Sequence, residues 1–448
     1  MARILTQTKA TAVNPLKSSQ PMGAAMAFLG IDGALPILHG SQGCTSFALV
    51  LLVRHFKHMV PLQTTAMDQM ATVVGGAGFL EKALVQLKAR TWPRLIGICT
   101  TAVAETRDED IAGDIFNAKG ARPRKLIDTE VVLARTPDFA GAVEEGWSKA
   151  VTATIEAITR PGTQNRDPAK VVILPGSNIT VADVEHLWET VESFGLTPLI
   201  LPDVSGGPDE AVRDRWIPIA RGGAKVEHIR DLGAATQCIA VGEQMRRPAE
   251  ALQGLTGLPY VIFGSLTGLN NADRFAWLLA AISRNNPPTA VRRGRMQLQE
   301  AMLSGHFHLA GKKIAIGCEP DQLFQLAQFF IGMGAVNTTV VTTTAHSKAL
   351  QLVPADTVQV GDLGDLEKLA ADADLVVTHS HGRQAAERLG IPLMRVGFPV
   401  FDSIGSQHKL SILYRGTRDM IFEVANIVQA TQGLPPARAP PDEWPRDL

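Results

Sequence analysis

Cysteine is scarce in this sequence, with four residues among 448. The four are widely separated, so they do not show the spacing of a disulfide framework, and a reducing compartment is expected. The first 20 residues contain no apolar core of the kind that an export signal requires. We therefore expect a cytoplasmic protein.

Aromatic residues are also few, at 5%, and the formal net charge is only −1. This charge balance provides no general attraction to nucleic acid or to an anionic membrane, and the low aromatic content argues against base stacking. An uncharged stretch at 33–53 is interrupted by Pro36, His39 and Gln42, which argues against a lipid-facing helix. We expect neither a nucleic-acid partner nor a membrane partner.

Several common site signatures are absent from the sequence. No G-x-x-x-x-G-K-[ST] loop occurs, and the segment GMGAVN (332–337) lacks the third glycine of a dinucleotide fingerprint. Neither the G-x-S-x-G elbow nor the HExxH motif is present. His379 and His381 end a predicted strand, where α/β sheets bind ligands, but without a third nearby metal ligand we interpret them as a polar loop.

What the sequence does contain is a series of short apolar runs, each followed by a turn and a helical pattern. This alternation is typical of buried parallel strands joined by helical crossovers, and it predicts an α/β fold. The strands are predicted at 94–101, 170–176, 198–203, 237–242, 260–265, 313–318, 338–344, 374–380 and 393–399. Helices are predicted at 180–195, where Thr180 and Asp183 can form a capping box, and at 320–334.

Polar, Pro-containing breaks at 159–170 and 283–295 divide the chain into three comparable units. The prediction is three Rossmann-like domains, each a mostly parallel sheet flanked by helices. Their expected bounds are 1–165, 166–290 and 291–432, and the first domain carries the candidate site described next. The remaining segment, 433–448, is a Pro-rich tail.

The four cysteines differ in their surroundings. Those expected to be buried in apolar strands are Cys99, Cys238 and Cys318. Cys44 instead lies between HGSQG and the apolar helical pattern of 45–56, on which Phe47, Val50, Leu51 and Arg54 share one face. Free amides at a helix start stabilise a thiolate, and Gly40 and Gly43 allow another backbone to approach. From these residues alone, Cys44 can be a nucleophile, a redox thiol or a metal ligand.

HGSQGC followed by an apolar helix resembles the nitrogenase component 1 superfamily. Other segments resemble the same family, in order, over almost the whole chain. They are NPLKSSQPMGA (14–24), LQTTAMDQ (62–69), TTAVAETRDED (100–110), TPDFAGA (136–142), GKKIAIGCEPD (311–321) and GFPVFD (397–402). Within the family, the chain is most similar to the β-like subunit of the complex that matures the iron–molybdenum cofactor.

Two departures from the family's catalytic pattern refine this resemblance. The nitrogenase β subunit supplies three cysteines to its eight-iron P-cluster, but two of the matching positions are Ser19 and Ala102 here. Only the middle cysteine remains, as Cys44. The resemblance therefore implies a smaller [4Fe–4S] cluster at a subunit interface, with Cys44 as the single ligand from this chain and three cysteines from the partner.

The resemblance also implies partners and a role. We expect an α2β2 heterotetramer with a NifE-like subunit, acting as a scaffold more than as an enzyme. An iron–sulfur precursor arrives from a NifB-type donor and is bound mainly by the partner subunit. Molybdenum and homocitrate are inserted with the help of the nitrogenase Fe protein, which docks transiently, and the finished cofactor passes to apo-nitrogenase.

Other residues of the matching motifs are expected near the cluster. Gly43 and Thr45 flank the ligand, while Ser19 and Ala102 occupy the former ligand positions. Asp68, Gln69 and Glu105 are expected either to support the cluster surroundings or to serve only as caps and ion-pair partners.

Three related proteins remain as alternatives. A catalytic nitrogenase β subunit is disfavoured by Ser19 and Ala102. The B subunit of dark-operative protochlorophyllide reductase supplies an aspartate where this chain has Cys44. A paralogue from the vanadium system remains open. A plain sugar- or nucleotide-binding α/β module would leave the ordered set of motifs unexplained.

Overall fold

The computed structural model of the chain describes residues 2–6, 9, 12, 14–68, 78–107, 110–121, 126, 128–162, 165–206 and 217–431. Gln69 and the tail at 433–448, for which predictions were made above, lie outside the described residues. Within the described part, the strands form three parallel sheets flanked by helices, which confirms the α/β fold class.

The first strand of the chain, β1 (Arg3–Leu5), pairs with a strand of the third sheet and not with its sequence neighbours. The first sheet has the order β3-β2-β4-β5. Its strands are β2 (Ala34–His39), β3 (Gln63–Thr64), β4 (Leu95–Thr100) and β5 (Glu130–Ala134). The helices of this part are α1 (Gln20–Leu29), α2 (Gln42–Phe56), α3 (Phe79–Thr91), α4 (Ala102–Thr106), α5 (Ile111–Ala121) and α6 (Val143–Ile158).

The second sheet has the order β7-β6-β8-β9. Its strands are β6 (Lys170–Leu174), β7 (Thr197–Ile200), β8 (Gln237–Val241) and β9 (Tyr260–Phe263). The helices are α7 (Val181–Ser193), α8 (Val226–Arg230), α9 (Arg246–Thr256) and α10 (Leu269–Ser283). The predicted capping box is present at α7, because Thr180 Oγ1 accepts a hydrogen bond from the Asp183 amide and Asp183 accepts one from the Thr180 amide.

The third sheet has the order β1-β12-β11-β10-β13-β14. Its further strands are β10 (Lys313–Cys318), β11 (Val336–Thr342), β12 (Thr357–Val360), β13 (Leu375–Thr378) and β14 (Leu393–Arg395). The helices are α11 (Thr289–Leu309), α12 (Pro320–Gly332), α13 (Leu363–Leu369), α14 (Arg383–Leu389) and α15 (Leu413–Thr431). Short 3-10 turns occur at Leu232–Ala234, Glu243–Met245, Lys348–Leu352, Ser380–Gly382 and Ser406–His408.

All nine strands predicted from apolar runs are present, with ends that differ by a few residues. The pattern does not predict β1, β2, β3, β5 or β12. β1 and β3 are very short, β2 contains Pro36, and β12 alternates polar with apolar residues. Each of these features weakens the continuous apolar run by which a buried parallel strand is recognised.

The hydrophobic core is continuous between neighbouring sheets. One cluster of buried side chains extends from Val171 to Val428 and joins the second and third sheets. Another extends from Met22 to Leu258 and joins the first and second sheets. Among the described helices, none combines the length and the apolar character needed to cross a membrane.

Helices α1 and α6 approach each other through two glycines. A Cβ atom at Gly146 would overlap the carbonyl oxygen of Gln20, and one at Gly23 would overlap that of Val143. Only glycine therefore permits this spacing between the two backbones. The contact sets the position of the α1 start, including Ser19, relative to the first sheet.

Candidate functional site

Cys44 lies in the first turn of α2, directly after the carboxyl end of β2. Its side chain is exposed, and its Sγ atom lies 3.3 Å from the Ser41 hydroxyl. A Cβ atom at Gly40 would overlap the Thr101 hydroxyl, so this glycine does allow a close approach. A Cβ atom at Gly43 would meet nothing within 4 Å, so Gly43 faces open space beside the thiol.

The loop that precedes Cys44 is held by two neighbouring loops of the first sheet. Thr65 Oγ1 accepts a hydrogen bond from the Gly40 amide at 3.1 Å, and the Met67 amide donates to the Gly40 carbonyl at 2.9 Å. On the other side, the Thr101 amide and hydroxyl both donate to the His39 carbonyl, at 3.2 and 2.9 Å. The carboxyl ends of β2, β3 and β4 therefore form one edge, where α/β sheets bind ligands.

A chain of hydrogen bonds joins the segments of Ser19 and Ala102 to this edge. The Ala102 amide donates to Asp138 Oδ2 at 3.2 Å, and the Gln20 side-chain amide donates to the Ala140 carbonyl. The loop at 136–141 thus connects Ala102 with Gln20, the residue that follows Ser19. Ser19 precedes α1 and makes no side-chain cap, so its hydroxyl does not stabilise the helix start.

Asp138, in the segment TPDFAGA, also lies at this edge, although nothing in the sequence links it to Ala102. Burial raises the pKa of its carboxyl above the ordinary value, while the Ala102 amide and the charge of Lys17 oppose that shift. The structure therefore places a half-buried acidic group against the backbone at Ala102.

Glu105 joins the ends of two strands. Its carboxylate accepts a hydrogen bond from the Thr100 hydroxyl at 2.6 Å and lies 3.6 Å from the Arg135 guanidinium. The same Thr100 hydroxyl accepts from the Thr136 amide at 2.7 Å. These contacts hold β4 and β5 in register at the edge that carries the site. Asp68 is exposed, close along the chain to Thr65 and Met67.

The remaining cysteines are unsuited to share a metal group with Cys44. Cys99, Cys238 and Cys318 are buried in β4, β8 and β10. Burial raises the pKa of each of these thiols, which disfavours the thiolate form that ligates metals. Among the described residues, no group of three metal-ligating side chains includes Cys44.

These observations show how far this chain fits an iron–sulfur cluster. An exposed thiol at a helix start suits one cluster ligand, but four thiolates are normally needed. The described residues therefore fit one of the four ligand positions of such a cluster.

The two faces of α2 have opposite environments. Its buried residues are Thr45, Ala48, Leu52 and His55. Phe47 and Val50 share the outer face and are 70% and 54% exposed. Arg54, also exposed, stacks on the Phe401 ring at 4.0 Å from the centroid. The apolar face identified in the sequence thus turns mostly outward, beside Cys44, and leaves a hydrophobic surface uncovered in the single chain.

His379 and His381 follow β13 and have structural partners. The His379 ring bonds the Leu16 carbonyl through Nε2 and accepts from the His381 amide through Nδ1. Burial is the main cause that lowers the pKa of His379, to about 4. Both ring nitrogens are therefore occupied by hydrogen bonds, and the bond to Leu16 joins the end of β13 to the N-terminal segment.

A cavity of about 970 Å³ lies between the three parts of the chain. It is lined from all three parts of the chain, for example by His55, Asn178, Arg221, Gln325 and Lys409. Cys44 does not line this cavity, although His55 lies on the same helix. The candidate cluster ligand and the cavity are therefore near opposite ends of α2, because Cys44 lies in its first turn and His55 in its last.

Comparison with known proteins places the chain in a family. Residues 19–429 match the family model described as nitrogenase component 1 type oxidoreductase. The chain is 65% identical to the nitrogenase iron–molybdenum cofactor biosynthesis protein NifN of Mesorhizobium japonicum, over 98% of this chain and 95% of the relative. It is 64% identical to the protein of the same name from Rhizobium meliloti, over 98% of this chain and 100% of the relative.

A solved structure has the same fold. The chain superimposes on a structure described as nitrogenase Cp1 at pH 6.5 with a TM-score of 0.89 and 26% identity, covering 95% of both chains. The match extends over all three sheets, and it confirms the resemblance that the motifs indicated. The chain belongs to the nitrogenase component 1 type oxidoreductase family, in the branch formed by the NifN proteins.

Proposed function

We propose that this chain is a scaffold subunit in the biosynthesis of the nitrogenase iron–molybdenum cofactor. The relatives that are 64–65% identical over nearly the full length are named as iron–molybdenum cofactor biosynthesis proteins. We further propose that the chain pairs with a NifE-like subunit in an α2β2 heterotetramer. Cys44 then supplies one ligand to a [4Fe–4S] cluster shared across the interface.

The observation that carries this proposal is the separation of the cysteines. Cys44 is exposed at the start of α2, while the other three thiols are buried in strands. A cluster on this face would therefore draw its remaining ligands from a second chain. Phe47 and Val50, on the exposed face of the same helix, supply an apolar surface for that chain.

Ser19 and Ala102 have distinct roles in this proposal. The methyl group of Ala102 offers no ligand atom, and its amide is used by Asp138. The Ser19 hydroxyl is at most a weak ligand. With one strong donor from this chain, a four-iron cluster is favoured over an eight-iron cluster.

The cluster would supply one-electron transfer between a docked Fe protein and the precursor on the partner subunit. The residues of this chain would orient the thiol and control its access to water. Ser41 lies against the Cys44 sulfur, and the hydrogen bonds of Gly40 hold the loop. Such surrounding hydrogen bonds orient ligands and tune the potential of metal groups.

The three sheets also support a division of the chain into N-terminal, central and C-terminal domains, which we propose at 1–165, 166–290 and 291–432. The strand β1 crosses this division, because it adds to the third sheet. The N-terminal domain would carry the cluster ligand and most of the pairing surface. The precursor would be received from a NifB-type donor, matured with molybdenum and homocitrate, and passed to apo-nitrogenase.

The test is anaerobic co-purification of this chain with its NifE-like partner, followed by iron counting and electron paramagnetic resonance. Cys44→Ala is expected to remove or change the [4Fe–4S] signal of the complex. Cys238→Ala is the matched control, since that thiol is buried in β8 and its loss should leave the signal intact. A Cys44→Ala complex with a wild-type spectrum would contradict the ligand assignment.

A second arm uses the chain produced alone. With one exposed thiol it is expected to hold no stable [4Fe–4S] cluster, because such a cluster is normally held by four thiolates. A stoichiometric cluster in the lone chain would rule out the shared-ligand arrangement.

A further inference from the structure

The cavity between the three parts of the chain is large enough to hold a small organic molecule. Its volume of about 970 Å³ is at the upper end of the range of roughly 300–1,000 Å³ that ligand sites occupy. Its wall is mainly apolar, and the apolar side chains include Met26, Phe56, Trp147, Ile179, Leu326 and Phe398. An apolar cavity of this size with a few polar groups is the usual form of a small-molecule site.

Arg221 belongs to the wall of this cavity and lies on a segment that is fixed to the N-terminal part of the chain. The Ala220 amide donates to the Ala34 carbonyl at 2.7 Å, and the Gly222 amide donates to Asp32 Oδ1 at 3.1 Å. Gly222 has a φ of 68°, in the left-handed region that favours glycine. The backbone on both sides of Arg221 is therefore held in place.

The guanidinium group of Arg221 has no counter-charge within the described part of the chain. Its Nη1 atom is buried and has no hydrogen-bond partner, and no described residue forms an ion pair with it. Buried donors in proteins normally have an acceptor, and arginine keeps its positive charge at any physiological pH. The arrangement therefore favours an acceptor that carries a negative charge.

The other lysine and arginine side chains of the wall have partners within the chain. Lys409 forms an ion pair with Glu423, and Arg395 lies 2.9 Å from Asp402. Among the described lining residues, Arg221 is thus the cation whose charge is not balanced by an ion pair.

Asp203 also lines the cavity, but its carboxylate is occupied by other donors. Its Oδ2 atom accepts from the Trp188 indole at 3.1 Å, and its Oδ1 atom accepts from the Ser205 amide at 3.0 Å. Burial lowers the pKa of His55 to about 4, so this lining ring carries no charge near neutral pH. The wall therefore combines apolar surface with one unbalanced positive charge, at Arg221.

We propose that this cavity binds an organic monocarboxylate with an apolar body, and that the carboxylate pairs with Arg221. The planar guanidinium presents N–H donors in a geometry that matches the two oxygens of a carboxylate. A phosphate dianion would bring a second charge that no described lining group balances, and an unbalanced charge in an apolar site is costly. The apolar body would pack against the apolar wall, where its removal from water favours binding.

The position of the cavity gives the ligand a structural effect. Met26 belongs to the N-terminal part, Asn178 to the central part and Met394 to the C-terminal part, and all three line the cavity. A bound ligand would therefore contact all three parts and raise the Tm of the chain as its concentration rises.

Fluorescence titration of the purified full-length chain with dansylaminoundecanoic acid tests the proposal, and the methyl ester of this acid is the uncharged match. We expect one saturable site per chain for the acid. The Kd of the ester should be about 10- to 100-fold higher, because the charge-assisted hydrogen bonds to Arg221 are lost. Arg221→Gln should raise the Kd of the acid by a similar factor and leave that of the ester within about threefold.

Three further variants separate the cavity from the rest of the surface. Arg94→Gln removes a surface cation that pairs with Glu227, and Phe307→Ala removes an apolar side chain that is 86% exposed. Both should bind the acid as the wild-type chain does. Val204→Phe adds bulk to the cavity wall and should weaken binding of the acid and the ester alike.

The wild-type chain alone can overturn the proposal, if the acid does not bind saturably or if the acid and the ester bind equally well. Wild-type affinity for the acid in Arg221→Gln would also overturn it, as would displacement of the probe by phosphate and not by decanoate. Circular dichroism identifies a variant that does not fold, in which case Val204→Phe and the comparison of acid with ester decide. None of these measurements involves an iron–sulfur cluster, so their failure is distinguishable from failure of the Cys44 assignment.

Discussion

Phe47 and Leu52 lie on opposite faces of α2, and their replacement by alanine should separate association from folding. Phe47 is 70% exposed beside Cys44, whereas Leu52 is fully buried against the first sheet. If the outer face of α2 pairs with the partner subunit, Phe47→Ala should weaken association and leave the fold of the chain unchanged.

The size of the effect follows from the exposed area. A phenylalanine side chain buries roughly 150–250 Å² in total, so about 140 Å² of Phe47 remains open to water. At about 25 cal/mol per Å², complete burial in an interface would contribute about 3.5 kcal/mol, and partial burial about 2 kcal/mol. Loss of that contribution corresponds to an approximately 30- to 400-fold higher Kd.

The assay measures dissociation of the purified complex by sedimentation velocity over a dilution series, together with urea unfolding of the single chain. Phe47→Ala should change the free energy of unfolding of the single chain by less than about 0.5 kcal/mol. Leu52→Ala should lower it by about 2–5 kcal/mol, because it leaves a cavity in the core.

Two results would refute this reasoning. Unchanged association of Phe47→Ala would show that the outer face of α2 is not covered by the partner. A loss of stability equal to that of Leu52→Ala would show that Phe47 is packed within the chain itself.

Two further predictions concern packing and pH. Gly146→Ala should lower the free energy of unfolding by at least about 2 kcal/mol, because its methyl group would overlap Gln20. A Cβ atom at Gly254, in α9, would meet nothing within 4 Å, so Gly254→Ala should instead raise the free energy of unfolding by up to about 1 kcal/mol. Equal urea midpoints for the two alanine variants would contradict the packing argument. The pKa of His379 is lowered to about 4, mainly by burial, so the unfolded chain binds the extra proton below about pH 6.5. The contribution of neutral His379 to the free energy of unfolding is therefore present at pH 7.5, and about 1.3 kcal/mol of that contribution is lost by pH 5.5. His379→Gln should abolish this loss, and urea unfolding at both pH values measures it.

The candidate site was only partly accessible from the sequence. The position of Cys44 at a helix start follows from the small residues before it and the apolar periodicity after it. That periodicity did not reveal that Phe47 and Val50 point outward, because an apolar stripe looks the same whether it faces a core or a partner. Asp138 was missed because nothing local links it to Ala102, 36 residues earlier.

The sequence also gives no sign that Glu144 meets another acidic residue. Glu144 and Glu319 are 175 residues apart, and each alone is an ordinary acidic residue at a helix start. Only the packing of the α6 start against the α12 start brings the two carboxylates together.

The sequence by itself determined the α/β class and the local character of Cys44, because apolar runs, caps and glycines act over a few residues. The tertiary structure decided the pairing of β1 with the third sheet, the outward face of α2 and the meeting of Glu144 with Glu319. These depend on how distant segments fill one core, and side-chain burial is a property of the packed chain and not of any short segment.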